Sequence, residues 1–154
     1  PRDFPPVALA EIDAMKGKPY GDRAVQILSR YLTDFSEEEL RECVSAAYSK
    51  EKFGGFAAPL HLLKKDTDIL ELWHGPTSAF KDMALQILPH FLTRAVRKTG
   101  EQKKSVILVA TSGDTGKAAM AGFSDVPDTE VIVFYPHGGV SDAQRLQMTT
   151  QRGE

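Results

Sequence analysis

Lys81 keeps unusual company for a charged residue. At helical spacing its stripe continues through Leu85, Leu88 and Leu92, and the adjoining stripe holds Phe80, Ala84, Ile87 and Phe91, with Asp82 and Gln86 the main polar exceptions. A helix that is apolar on almost every side packs inward, whereas lysine is almost never fully buried without a partner. Two readings follow. In the ordinary one, Lys81 lies in the first turn, buries its stem and carries its amine out to water. In the chemical one, desolvation or nearby positive charge lowers the amine's pKa from about 10.4, and the neutral amine condenses with an aldehyde. The local pattern leaves both open.

A second candidate is the run Thr111-Ser112-Gly113-Asp114-Thr115-Gly116, which combines two glycines with hydroxyl side chains and one carboxylate. Glycine permits close backbone approach or positive φ, and N–H groups at the start of a following helix can receive a carboxylate or phosphate. The plainer reading is a tight strand-to-helix connection capped by Asp114 or Thr115. Gly113 to Lys117 is only superficially like a P-loop, because its glycines are too close together for the nucleotide-binding pattern.

These residues need a scaffold. Helical patterns run from Ala8 to Met15, Asp22 to Leu32 and Glu37 to Lys50. The third begins at a capping box, Ser36 with Glu39, and ends at Phe53-Gly54-Gly55. Leu60 to Leu63 and Ile69 to Leu72, separated by the polar stretch Lys64 to Asp68, predict a β-hairpin. A long helical pattern then spans Ser78 to Lys98 with Pro89 inside it, which predicts a kink or two shorter helices. Ser105 to Ala110 reads as a buried strand, Lys117 to Phe123 as a short helix and Val131 to Tyr135 as a second strand. Together they form a βαβ unit with parallel strands and a right-handed crossover. The second half is therefore α/β, and the loop after its first strand is where such folds bind ligands.

Hydrophobic residues at 42% and charged residues at 26% place the chain among ordinary globular proteins. A formal net charge of −2 supplies no overall basic field to recruit nucleic acid or anionic lipid. The basic residues Arg94, Arg97, Lys98, Lys103 and Lys104 follow an apolar helix and read as its solvated end. Cys43 is the only cysteine, so no intrachain disulfide forms and a cytoplasmic location is expected. Leu40, Val44 and Ala47 surround it at helical spacing, as around a core thiol. No apolar run is long enough for a membrane-spanning helix. His61, His90 and His137 share no metal-ligand spacing, so no metal is expected. Trp73 is expected to pack at a strand end.

The run His74-Gly75-Pro76-Thr77-Ser78-Ala79-Phe80-Lys81-Asp82 resembles the signature around the pyridoxal-phosphate lysine of threonine synthases, His-Gly-Pro-Thr followed by Ala-Phe-Lys-Asp. Thr111 to Gly116 is similar to the Thr-Ser-Gly-Asp-Thr-Gly loop of the same family. Tyr135-Pro136, Gly138, Val140-Ser141, Gln144 and Gln147-Met148-Thr149-Thr150 resemble its next segment. The likeness extends to Asp22 to Leu32, Leu70 to Trp73 and the opening Pro1, with a looser match over the first fifty residues or so.

This resemblance implies a fold type II pyridoxal-phosphate enzyme. A helical amino-terminal region over residues 1–55 would precede the first part of a three-layer αβα catalytic domain over residues 56–154. Because the family's complete members are about two to three times longer, and the chain opens at Pro1 and stops at Glu154 soon after a strand, a fragment is expected. Lys81 would hold pyridoxal 5'-phosphate and then act as the proton-transfer base. Asp114 would lie near the cofactor's ring hydroxyl, and Ser112, Gly113 and Thr115 would bind the substrate carboxylate. His74 would brace the turn or take a direct chemical part. The loop for the cofactor's phosphate and the partner of its pyridine nitrogen are expected outside these residues. The implied reaction converts O-phosphohomoserine and water to threonine and phosphate, with no nucleic-acid or membrane partner. The alternatives are another fold type II lyase or dehydratase acting on serine or threonine, and a non-catalytic threonine-synthase-like protein. Relatives of the first kind typically carry a shorter Ser-x-Lys motif and an Asn in the loop.

Overall fold

The computed structural model describes residues 5–152; Pro1, one of the residues carrying the resemblance, lies outside them. Its first part is helical: α1 (Leu9–Ala14), α2 (Tyr20–Leu28), α3 (Glu37–Ala47) and α4 (Lys50–Phe53). The capping box expected at α3 is present. The Ser36 hydroxyl accepts from the Glu39 N–H at 3.2 Å, and the Glu39 carboxylate accepts from the Ser36 N–H at 2.8 Å. The buried face of α3 holds Leu40, Cys43, Val44 and Ala47, which pack with Val25 of α2 and with Ile87. Cys43 is thus a core thiol, and burial raises its pKa.

The helix starting at Ser36 does not run on to Lys50 as the pattern suggested. It stops at Ala47, and a separate turn, α4, restarts after Ser49 and ends on left-handed Gly54. Tyr48 accounts for the break. Its hydroxyl donates to the Met83 carbonyl at 2.6 Å, and its ring meets Tyr20 and Phe53 edge-to-face. The backbone leaves helical geometry where this side chain reaches across the fold.

The hairpin forms as expected, with β1 (Leu60–Lys64) antiparallel to β2 (Thr67–Leu70). The helical pattern from Ser78 resolves into two helices, α5 (Asp82–Leu85) and α6 (Leu88–Thr99). Pro89 lies in the first turn of α6, where its missing N–H costs nothing, so it starts a helix and kinks none.

Burial along this segment reverses the sequence expectation. Asp82 and Gln86, the polar exceptions, are fully buried, whereas Phe80 and Leu88 are 61% and 43% exposed. Asp82 and Gln86 point inward with Ala79, Ile87 and Pro89, so of the expected apolar stripe Phe80 and Ala84 face outward while Ile87 is buried in the core with Phe91 packed against it.

The βαβ unit is present: β3 (Ser105–Ala110) pairs in parallel with β4 (Thr129–Phe134), Ser105 opposite Thr129 through Ala110 opposite Phe134. The connecting helix α7 (Asp114–Phe123) begins three residues earlier than the sequence pattern suggested. It approaches α5 closely through Gly122, where an added Cβ would lie 2.1 Å from the Leu85 carbonyl oxygen. A further helix, α8 (Asp142–Thr149), packs against α7 and was not anticipated.

The α/β class therefore holds. Of the expected three layers, the described residues build the sheet and the helices on one face. Strand β3 is not fully buried as predicted: Ile107 and Val109 turn inward, while Leu108 is 67% exposed opposite Ile132 of β4. No helix among the described residues is long and apolar enough to cross a membrane.

Candidate active site

The backbone leading to Lys81 is tied to the residue that follows it. Asp82 is fully buried, and its carboxyl oxygens accept from the Thr77 N–H and the Thr77 hydroxyl, each at 2.8 Å. The same carboxyl group lies against Gly75, where an added Cβ would stand 2.5 Å from Asp82 Oδ2. Gly75, Thr77 and Asp82 thus form one physical unit: a glycine that leaves room, a threonine that supplies two donors, and a buried acceptor. Upstream, His74 Nε2 pairs with the Glu71 carboxylate at 2.7 Å, and the Trp73 ring stacks on His74. Trp73 is half-exposed and three residues past β2, so it does not pack at the strand end as expected.

Lys81 immediately precedes α5 and is half-buried. Its Nζ lies 4.3 Å from the centre of the Phe80 ring, a cation–π contact with a side chain that is itself largely exposed.

The second loop is closed by a residue the sequence reading did not single out. Thr111 Oγ1 accepts from the Gly113 N–H at 2.9 Å and the Gly116 N–H at 3.2 Å, bending the chain from β3 into α7. Gly113 is the N-cap, at φ 143°, and has no side chain to cap the helix; Thr111 Oγ1 accepts the first-turn Gly116 N–H instead. Neither Asp114 nor Thr115 plays the capping part offered as the plainer reading. Asp114 stands in the first turn of α7 with its carboxylate free for other partners. Gln144 Nε2 donates to Asp114 Oδ1 at 2.9 Å, and Lys117 Nζ lies 3.6 Å from the same oxygen. The Gln144 hydrogen bond, followed by the charges of Lys117 and Lys81, holds the Asp114 carboxyl below the usual carboxylate range.

Lys81 and Asp114, from separate elements, therefore fall within electrostatic reach of one another. Ser112 is exposed and Thr115 half-buried beside them, whereas Gly113 is buried under Gln144 with its N–H already engaged. The remaining histidines lie elsewhere: His61 on the exposed hairpin, His137 exposed after β4, and His90 half-buried in α6 with its pKa lowered chiefly by burial. Among the described residues no group of three or more His, Cys, Asp or Glu is placed to hold a metal ion. The basic residues expected at a solvated helix end are partly paired, Arg94 with Glu39 and Glu42, Lys98 with Glu39, and Lys104 with Glu130.

Residues 1–48 match the family model described as threonine synthase N terminus. The whole chain is 37% identical to the threonine synthase of Pseudomonas aeruginosa, of which it covers 32%. The chain belongs to the threonine synthase family. It is also 36% identical over 99% of its length to threonine synthase-like 1 of Pongo abelii, covering 21% of that protein. Its fold superposes on the crystal structure of a pyridoxal-phosphate-bound threonine synthase from Brucella melitensis with a TM-score of 0.85 and 32% identity, over 96% of this chain and 32% of the other. Relative to these threonine synthases, the chain spans about a third of the length.

Proposed function

We propose that this chain supplies the lysine-bearing part of a threonine synthase, which converts O-phosphohomoserine and water to threonine and phosphate with pyridoxal 5'-phosphate as cofactor. The observation that carries this reading is that the charge of Lys81 bears on the Asp114 carboxylate, the two residues coming from segments whose sequences follow the family signature. The residues suit the cofactor: a primary amine on a half-buried side chain stands beside the exposed Phe80 ring, and its charge acts on a carboxylate held below its usual pKa. In this reading residues 1–55 form the helical preceding region and 56–154 the opening of the catalytic domain, in a cytoplasmic protein.

When bound, the cofactor supplies an electron sink that stabilises negative charge on carbons next to its imine. Lys81 would hold it through the amine and would move protons at the substrate's α and β carbons as general base and acid. Asp114 would place a negative charge near the cofactor's ring hydroxyl. Ser112 and Thr115 bind the substrate carboxylate through hydroxyl and backbone donors, whereas the Gly113 N–H is held by Thr111 Oγ1 and supplies none. The Thr77–Asp82 bonds keep the lysine-bearing turn in place during these transfers.

Borohydride reduction of the cofactor-loaded protein followed by peptide mapping tests the lysine: label on Lys81 is expected, and label on another lysine instead overturns the assignment. Phosphate release from O-phosphohomoserine, measured against turnover of serine, separates this reading from a dehydratase. The likeness to threonine synthase-like 1 favours one second reading, a non-catalytic member; cofactor attachment at Lys81 without any turnover would select it.

A further inference from the structure

Gln144 belongs to two structures at once. Its amide oxygen accepts from the Ser141 N–H and the Ser141 hydroxyl, each at 3.2 Å, while the Ser141 hydroxyl accepts from the Gln144 N–H, completing the capping box of α8. Its amide nitrogen points the other way and donates to Asp114 Oδ1 at 2.9 Å. The chemistry fixes which end does which. An N–H donor at Ser141 needs the oxygen and a carboxylate at Asp114 needs the nitrogen, so the two contacts together admit one orientation of the amide.

Packing holds the side chain there. The amide lies across Gly113, and a Cβ on that residue would come within 2.4 Å of the Gln144 side-chain carbon. Gly113 therefore does more than open the turn at φ 143°: its missing side chain leaves the space Gln144 occupies. Lys117, with only 11% of its side chain exposed, flanks the same carboxylate oxygen, and the charge of Lys81 also acts on the carboxylate.

We propose that Gln144 is a positioning residue, capping α8 with one end of its amide and fixing the Asp114 carboxylate in the candidate active-site loop with the other. The role rests on the reading of Asp114 given above and adds to it an element, α8, that no motif of the loop contains. Glutamine is required where glutamate would serve a cap equally well. A glutamate at 144 would accept from Ser141 as before, but it would bring a second carboxylate against Asp114.

Gln144→Glu is the test, with Gln144→Met as a second variant that removes the donor without adding charge. Asp114 is followed by carbon-13 NMR titration of its carboxyl in the protein without cofactor, alongside thermal melting and, with cofactor, absorption spectra and phosphate release. Gln144→Glu keeps the cap, so any loss in melting temperature should come from the carboxylate repulsion, appearing at neutral pH and fading as pH falls below the Asp114 midpoint. That midpoint should rise by about 1–3 pH units as two carboxylates share the site. The methionine variant should raise it less. Spectra and turnover should follow the same order. An Asp114 midpoint unchanged in both variants reduces Gln144 to a capping residue and overturns the proposal. Asp114→Asn probes the underlying reading separately: unaltered spectrum and turnover there remove Asp114 from the site, whatever the Gln144 variants do to its titration.

Discussion

In the complete protein, Lys81→Ala is expected to abolish covalent attachment of pyridoxal phosphate and turnover together. Lys81→Arg should not restore either, because a guanidinium stays charged and cannot form the imine. Melting should change little in both, since the contact the amine makes is with the largely exposed Phe80 ring. A lysine that merely snorkels would instead leave attachment and turnover intact when replaced.

Asp114 gives a second residue-scale test. It does not cap α7, so Asp114→Ala should not show the roughly 0.5–2 kcal/mol loss of a removed N-cap. The spectrum and phosphate release should carry the larger change. The sign of its pH dependence follows from its lowered folded-state pKa. The unfolded chain binds this proton more readily, so the stabilising contribution is present above the unfolded value of about 3.9 and is lost as pH falls through the lower folded value. Urea unfolding across that acid range should show Asp114→Ala losing the part of the slope this residue supplies.

At the scale of elements, the turn before Lys81 depends on one buried carboxyl group. Asp82→Ala leaves the Thr77 N–H and hydroxyl without their acceptor and should cost about 1–3 kcal/mol in urea unfolding. Borohydride labelling of Lys81 should fall even where the protein remains folded, because the turn carrying the lysine loosens. Labelling undiminished in a folded Asp82→Ala would show that the turn does not need the lock. This element also marks the limit of what sequence conveys. The hairpin, the parallel pair and the Ser36 cap were legible, since each is written in a local alternation, an apolar run or a two-residue signature. The burial of Asp82 and Gln86 was not, because the short helix α5 takes its inward stripe from Ala79, Asp82 and Gln86 rather than from the more apolar side. The break at Tyr48 and the grip of Gln144 on Asp114 were likewise unreadable, as each depends on a partner 35 or 30 residues away. Helix α8 was recoverable in principle, for Ser141 and Gln144 repeat the cap pattern that located α3.

The whole molecule presents more apolar surface than a chain of this composition needs to leave in water. Leu108, Ile132 opposite it and Phe134 lie on the uncovered face of the parallel pair, 67%, 45% and 59% exposed, and the hairpin adds Leu60 and Leu62 at 69% and 67%. A two-stranded parallel sheet also has unpaired backbone groups along both outer edges, which invites pairing with other chains. Threonine synthases similar to this chain are about three times its length, and in the proposed function the cofactor lies between this part and later elements. Residues 1–154 alone are therefore expected to self-associate and to lack threonine synthase activity despite holding Lys81 and the Asp114 loop. Purified chain, saturated with pyridoxal phosphate, should elute above monomer size in chromatography and form an imine only weakly, since oriented backbone donors to the cofactor's phosphate supply much of such a site's affinity. Threonine and phosphate formation from O-phosphohomoserine, measured beside a complete threonine synthase, should be at background. Turnover comparable to the complete enzyme would mean that residues 1–154 hold the cofactor unaided, and the proposed division of the site between this part and the rest would fall.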